Sequence, residues 1–363
     1  MIEAAEQQPG GRWSIAGAGV VGGCLIEMLA KEGVAARHGL LPQPDYVLRA
    51  SGWHSGRPDG PLTDKEPTDI PCPNTDVLFV ATPPTVDNEP TLSLMQKQLA
   101  LGKTVITAEK ATLAENFREL TSLPGQLGYW ATFAGGARLI PSLQLYTLDP
   151  ANVREIQLAP NATHTFIFGK VQKGSTLVEA AEMAESAGLV EPGEMGMRDG
   201  IEIISNEAKL EIPRKLTILW NSIFPNLPEL PPDKIVPELD NEQILKAIDR
   251  VRSYRYLVSL YPESESSLVK KAEKEKLPGG FKLFHAGWVV LGGFQRVDRN
   301  TSQRFFRNSR GPRAGYYVRL GAPGESKDDG DDGAMGYAAG SRSTATAMLD
   351  NLIYIRRRLG LLP

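Results

Sequence analysis

The sequence predicts an α/β protein: a doubly wound parallel sheet followed by a second, α+β domain. Three observations carry that reading. A glycine-rich turn joins a short apolar run to an amphipathic stretch near the start of the chain. Further apolar runs without alternation then recur between helix-like stretches, as expected of parallel strands covered on both faces. Finally, 363 residues give room for two domains. The reading divides the chain into a disordered tail over 1–10, a nucleotide domain over 11–140 plus 336–363, and a second domain over 141–335.

The first element is "RWSIAGAGVVGGCLIEMLAKEG". Trp13 to Ala16 forms a strand, Gly17, Gly19, Val20, Val21 and Gly22 form the turn, and Leu25, Met28 and Leu29 mark the buried face of a helix running to Gly33. Gly17 permits the tight turn, Gly19 lets a pyrophosphate approach the backbone, and Gly22 lets helix and strand pack closely. Free N–H groups and partial positive charge at the helix N-terminus suit phosphates. Together these define a Rossmann-type dinucleotide site.

The second strand, "YVLRASG", ends without an acid to grip a ribose 2′-hydroxyl, since Asp45 precedes it and Asp59 lies well past it. Arg49, Ser51 and Arg57 stand nearby instead, which favours the 2′-phosphate of NADP over NAD. "DVLFVATPP" (76–84) and "KTVITAEK" (103–110) supply the next strands, separated by a helix ending at Gly102 and followed by another near 111–121. Ligands of such sheets sit at the carboxyl ends of the strands. That marks Thr82, Pro83, Pro84, Glu109 and Lys110 as candidates.

Composition excludes several other classes. A net charge of −3 gives no global attraction to nucleic acid or an anionic membrane. No apolar run approaches the roughly 18 residues that span a bilayer. The polar, acidic N-terminus has no signal-peptide pattern. Two cysteines, Cys24 and Cys72, make neither a disulfide framework nor a cysteine metal site. The expectation is a reduced, cytoplasmic protein with no metal, membrane or nucleic-acid partner.

"NEAKLEIPRKLTILW" (206–220) poses a sharper question. Leu216, Leu219, Trp220 and Ile223 form the apolar stripe of a core-facing helix. Glu211 and Lys215 stand four apart at its edge, beside Arg214, and Pro213 suits a first helical turn. On these residues alone, a surface ion pair is the simpler account.

Several segments, however, resemble the homoserine dehydrogenases, in a divergent form without a C-terminal regulatory domain. "TVITAEKATLAE" is similar to the family's strand ending in Asn-Lys, with Glu109 for Asn. "GYWATFAGGARLIPSL" resembles the segment leaving the nucleotide domain, with Trp130 where the family has Glu, which removes support for a monovalent cation. "LAPNATHTFIFG" resembles its Asn-Gly-Thr segment, keeping Asn161 and Thr163. "LEIPRKLTILW" resembles its Asp-x-x-x-Lys helix start, and "GYAAGSRSTATAMLDNLIYI", beginning at Gly336, its returning C-terminal turn and helix. The likeness runs from Trp13 to Arg358, apart from about 225–335, where only "YRYLVSL" is recognisable.

The resemblance implies that Lys215 is the acid/base at the reacting oxygen and Lys110 a second cation in the site. It implies that Glu191 and Glu211 hold a substrate ammonium, with Asn161 and Thr163 lining the same pocket. The reaction implied is reversible hydride transfer between NADPH or NADH and L-aspartate 4-semialdehyde, giving L-homoserine, in a homodimer. Reduction of an aldehyde requires a proton on the developing alkoxide, and a lysine with its pKa brought towards neutrality can give it. Two alternatives stand beside this reading: a dehydrogenase of the same build acting on another amino acid or aldehyde, and a non-catalytic NADP-binding sensor.

Remaining features point away from further sites. "GESKDDGDDGAMG" (324–336) lacks a calcium loop's spacing and is expected to be a flexible acidic loop. Six arginines between 296 and 313 are expected in a solvated loop or one reaching a cofactor phosphate, and "VKKAEKEK" on a solvated helix face. His38, His54, His164 and His285 have no metal-ligand spacing, and His164 falls within the resembling segment.

Overall fold

The computed structural model describes residues 11–362 except 32, 71–73, 84–87, 191–199, 266–269, 271–278, 298–304, 308–310 and 322–330. The 1–10 tail, Cys72, Pro84, Glu191 and most of "VKKAEKEK" therefore lie outside the described residues. The chain forms two compact units, one of residues 1–132 with 344–363 and one of residues 133–343.

The first unit is built on a six-stranded sheet of order β3-β2-β1-β4-β5-β6. Its strands are β1 Trp13–Ala16, β2 Tyr46–Arg49, β3 Gly52–Ser55, β4 Val77–Val80, β5 Thr104–Thr107 and β6 Gln126–Gly128. All neighbouring pairs are parallel except β2–β3, an antiparallel hairpin at one edge. The strand order reverses at β1, where the chain passes out to β2 on one side and β4 on the other. Helices α1 Val20–Ala30, α2 Val34–Arg37, α3 Glu89–Ala100, α4 Ala111–Glu115 and α5 Phe117–Ser122 follow the strands. The single helix expected near 111–121 is broken at Asn116. The returning C-terminal helix, α12 Ser341–Arg358, buries Ala345, Met348, Leu349, Leu352 and Ile355 with Trp13, Ile15, Leu25 and Phe79 in one core. β6 has an apolar residue too few for periodicity to reveal it; α12 and β5 supply its packing.

The second unit carries a six-stranded sheet of order β12-β11-β7-β8-β10-β9, antiparallel throughout. Its strands are β7 Val153–Ala159, β8 Tyr254–Pro262, β9 Phe281–His285, β10 Trp288–Arg296, β11 Arg313–Leu320 and β12 Asp332–Tyr337. Its helices are α6 Leu139–Tyr146, α7 Ala162–Val171, α8 Leu177–Ser186, α9 Gly200–Asn206, α10 Ile212–Ile223 and α11 Asn241–Asp249. The end of the acidic segment expected to be a loop is instead strand β12, whose Asp332 to Tyr337 pair with β11. Alternation could not mark it, because its glycines have no side chains to alternate.

Pro213 sits, as expected, in the first turn of α10, the helix that buries Leu216, Leu219, Trp220 and Ile223, but the helical run does not begin there. Residues 200–223 form one continuous helical run, with a π-helical segment, Glu207–Glu211, between α9 and α10. A proline ring within an α-helix strikes the carbonyl four residues back and leaves it without a donor. Here the preceding turn is widened, and the Ile212 N–H reaches the Glu207 carbonyl, five residues back. Short π segments of this kind recur at functional sites.

Candidate functional site

In the first unit the glycine turn has the shape its sequence predicts. Gly17 has φ +91°, and a Cβ there would come within 2.4 Å of the Ala81 carbonyl at the end of β4. A Cβ on Gly22 would lie 1.8 Å from the Gly17 carbonyl oxygen and 3.2 Å from Ile15. A Cβ on Gly19 meets nothing within 4 Å, so the space above it is open. No side chain caps α1 and no acid stands in its first turn, while Val20 at its start is 73% exposed. Val21, next to it, packs against the core. Thr82, beside Gly17, has a buried hydroxyl with no hydrogen-bond partner among the described residues. Free helix N–H groups, open space and an unused hydroxyl fit a dinucleotide diphosphate.

The neighbouring strand ends are polar. Arg49 donates to the Pro58 carbonyl at 3.1 Å, Ser51 lies 2.7 Å from the His54 ring, and Arg57 pairs with Asp59 at 3.2 Å. Pro83 is exposed after β4. Lys110 opens α4, and the Glu109 carboxylate accepts from the N–H groups of Ala111 at 2.7 Å and Thr112 at 2.8 Å. Burial raises the Glu109 pKa, against those hydrogen bonds and Lys110. Glu109 is thus the buried cap of the helix that Lys110 starts.

The second unit gathers a cluster that the sequence shows only in part. Glu211 and Lys215 pair at 3.6 Å, one α-helical turn apart. Glu207 pairs with the same ammonium at 3.7 Å, from the other end of the π segment. Both carboxylates are almost fully buried, at 2% and 3% exposure. Arg214 approaches the far oxygen of Glu211 at 3.4 Å. Two buried carboxylates therefore flank one lysine, whose side chain stays 15% exposed.

Asn161 and Thr163 converge on Glu207. The Asn161 carbonyl oxygen caps α7 by accepting from the His164 N–H at 2.8 Å, which leaves its amide free to donate to Glu207. The Thr163 hydroxyl lies 3.1 Å from Glu207 and 2.8 Å from the Leu189 carbonyl. His164 is buried; its Nε2 stands 2.9 Å from the Ile204 carbonyl, so that nitrogen carries the proton. Desolvation, with Lys215 nearby, lowers its pKa to about 4, against the Ile204 hydrogen bond. Its ring packs on Tyr256 with centroids 5.4 Å apart. The histidine is a neutral support under α9.

Glu207 was missed by the sequence reading. The signal was present: Glu207, Glu211 and Lys215 recur every four residues on the face beside the apolar stripe. Gly336 stands elsewhere, in β12 opposite Ala314, where a Cβ would come within 2.7 Å of Ala137. Glu191 lies outside the described residues. Among the described residues no group of three His, Cys, Asp or Glu side chains is arranged to hold a metal ion, and no helix is long and apolar enough to cross a membrane.

The first unit thus holds an open glycine turn and the second a buried carboxylate–lysine cluster. The chain is 34% identical over 110 residues to a homoserine dehydrogenase of Sulfurisphaera tokodaii, covering 29% of this chain and 35% of that protein. It is 32% identical over 111 residues to that of Pyrococcus horikoshii, covering 29% and 34%. These matches span about a third of the relatives' length. No family model matches. Solved structures share the whole fold: a homoserine dehydrogenase of Thermoplasma acidophilum superposes with TM-score 0.67 at 19% identity, over 95% of this chain and 99% of that one. A hyperthermophilic archaeal homoserine dehydrogenase mutant in complex with NADPH gives 0.64 at 17%, over 96% and 98%. The chain has the homoserine dehydrogenase fold.

Proposed function

We propose that the protein is an NADP(H)-dependent dehydrogenase that interconverts L-aspartate 4-semialdehyde and L-homoserine. The observation that carries this reading is the single lysine held between two buried carboxylates. Support comes from the partial likeness to curated homoserine dehydrogenases and from the open glycine turn. When bound, NADPH supplies hydride to the aldehyde carbon. The developing alkoxide then requires a proton, and Lys215, as an ammonium reachable from solvent, is the donor; in the reverse direction it accepts the hydroxyl proton. Glu207 and Glu211 offer the anionic clamp that an amino-acid ammonium needs, and Asn161 and Thr163 fix Glu207 for that task. Glu191 and Lys110 complete the proposed set, with the chain acting as a homodimer. Gly17, Gly19, Val20, Val21, Gly22, Thr82 and Pro83 hold the cofactor, Arg49 and Ser51 favour its 2′-phosphate, and Gly336, in β12 of the second unit, completes the proposed cofactor-binding set.

Lys215→Arg tests the role of the lysine. Arginine keeps a cation between the carboxylates yet does not lose its proton in proteins. Turnover of the semialdehyde should fall by about 10²–10⁴-fold, with NADPH affinity unchanged. Full activity in this variant would remove Lys215 from the chemistry.

A further inference from the structure

The Ser51 hydroxyl, assigned to the cofactor's 2′-phosphate, is hydrogen-bonded to a histidine. The Gly17 N–H donates to the Leu48 carbonyl at 3.0 Å, which ties the end of β2 to the glycine turn. Arg49 and Ser51 follow, both exposed, where β2 turns into β3. A Rossmann-type sheet meets the adenosine ribose at this place. On β3, His54 pairs with Val47 of β2, and its backbone also bridges to Leu62. Its Nε2 lies 2.7 Å from the Ser51 Oγ and its Nδ1 2.8 Å from the Gly60 carbonyl oxygen.

These two contacts fix the direction of the Ser51 hydroxyl. A carbonyl oxygen only accepts, so Nδ1 carries a proton and donates to Gly60. In the neutral ring Nε2 is then the acceptor, and the Ser51 hydroxyl commits its one proton to it. Once the ring is protonated, Nε2–H donates to the Ser51 Oγ instead, and the hydroxyl proton is released to point elsewhere. A phosphate oxygen only accepts, so the hydroxyl serves it without giving up His54 only in the second state.

We propose that His54 is a positioning residue for cofactor choice: it sets the donor direction of Ser51, so that preference for a 2′-phosphate strengthens as pH falls. This rests on the reading that Ser51 faces that phosphate. The charged side chains on the segments packed against His54 are Asp45 and Arg49 at the two ends of β2, Arg57 and Asp59 in the following turn, and Asp64, Lys65 and Glu66 beyond Leu62. Asp45 pairs with Arg12 and Asp59 with Arg57. Among the described residues the imidazole has Ser51 and Gly60 as its hydrogen-bond partners and none of these charged groups.

Isothermal titration of NADP⁺ and NAD⁺ into the native protein and into Ser51→Ala, at about pH 6 and about pH 8, tests this. Ser51 is exposed, so its replacement leaves the fold intact. The variant should bind NADP⁺ about tenfold more weakly at the lower pH, the loss of one hydrogen bond to a charged group, and about twofold or less at the higher. Protonation of the phosphate, with its second pKa of about 6, works in the opposite sense by weakening the contact at the lower pH. In a His54→Ala background the loss on Ser51→Ala should no longer depend on pH. A loss of equal size at both pH values in the native background, or a greater one at the higher, overturns the role of His54 and leaves Ser51 facing the phosphate. No loss at either pH, or equal losses for NADP⁺ and NAD⁺, overturns the proposal together with the reading beneath it.

Discussion

Glu207 carries the densest set of contacts in the candidate site, to Asn161, Thr163 and Lys215. Replacing it with glutamine keeps its shape and removes its charge. In steady-state kinetics, Glu207→Gln should raise the KM for the amino-acid substrate by at least about tenfold, the loss of one charge-assisted hydrogen bond. A change confined to stability would make Glu207 a structural residue only. His164 is a second test at this scale. Its folded pKa, about 4, lies below the ordinary 6.5. Its contribution to stability is thus complete above pH 6.5 and is lost as pH falls through that value towards 4, at up to about 1.4 kcal/mol per pH unit. Urea unfolding across that range should show a steeper acid loss for the native protein than for His164→Asn, by about one proton. Equal slopes would mean that His164 titrates normally.

The elements differ in how plainly the sequence announces them. β1, the glycine turn and α1 were legible because each glycine answers to one steric demand: a positive φ at Gly17, a 1.8 Å approach at Gly22. The apolar stripe of α10 was equally plain. The π segment was not, since Pro213 suits a helix start and so masks the four-residue recurrence of Glu207, Glu211 and Lys215 that runs through it. For the same reason the sequence paired Lys215 with Glu211 and left out Glu207, a residue that only the continued helix brings to the same face. Pro213→Ala tests how far the proline holds that geometry. Alanine restores a backbone N–H at position 213 and allows an ordinary α-turn, which carries Glu207 round the helix axis. Melting temperature should change little, while kcat/KM falls by about tenfold or more, the cost of misplacing a substrate-positioning group. An unchanged kcat/KM would show that the widened turn does not depend on Pro213.

At the scale of the molecule, the first unit holds an open glycine turn at the ends of its strands, and the second a charged cluster on a helix. A parallel sheet and a second, α+β domain were expected, but no strand of the second sheet was assigned from the sequence, because antiparallel pairs set by distant residues leave little local pattern. If the first unit holds the cofactor, NADPH at about a hundred times its Kd should stabilise the protein by about 2.7 kcal/mol, with NADH at the same concentration giving less. A larger shift with NADH would reverse the assignment drawn from Arg49 and Ser51. The central claim is hydride delivery to an amino-acid aldehyde, and it is tested most directly by supplying L-aspartate 4-semialdehyde with NADPH deuterated at C4 on either face. Mass spectrometry should find homoserine carrying one deuterium on C4 from one face of the cofactor and none from the other. Unlabelled product, or cofactor that binds and is never consumed, would contradict the account and leave a binding protein with this fold.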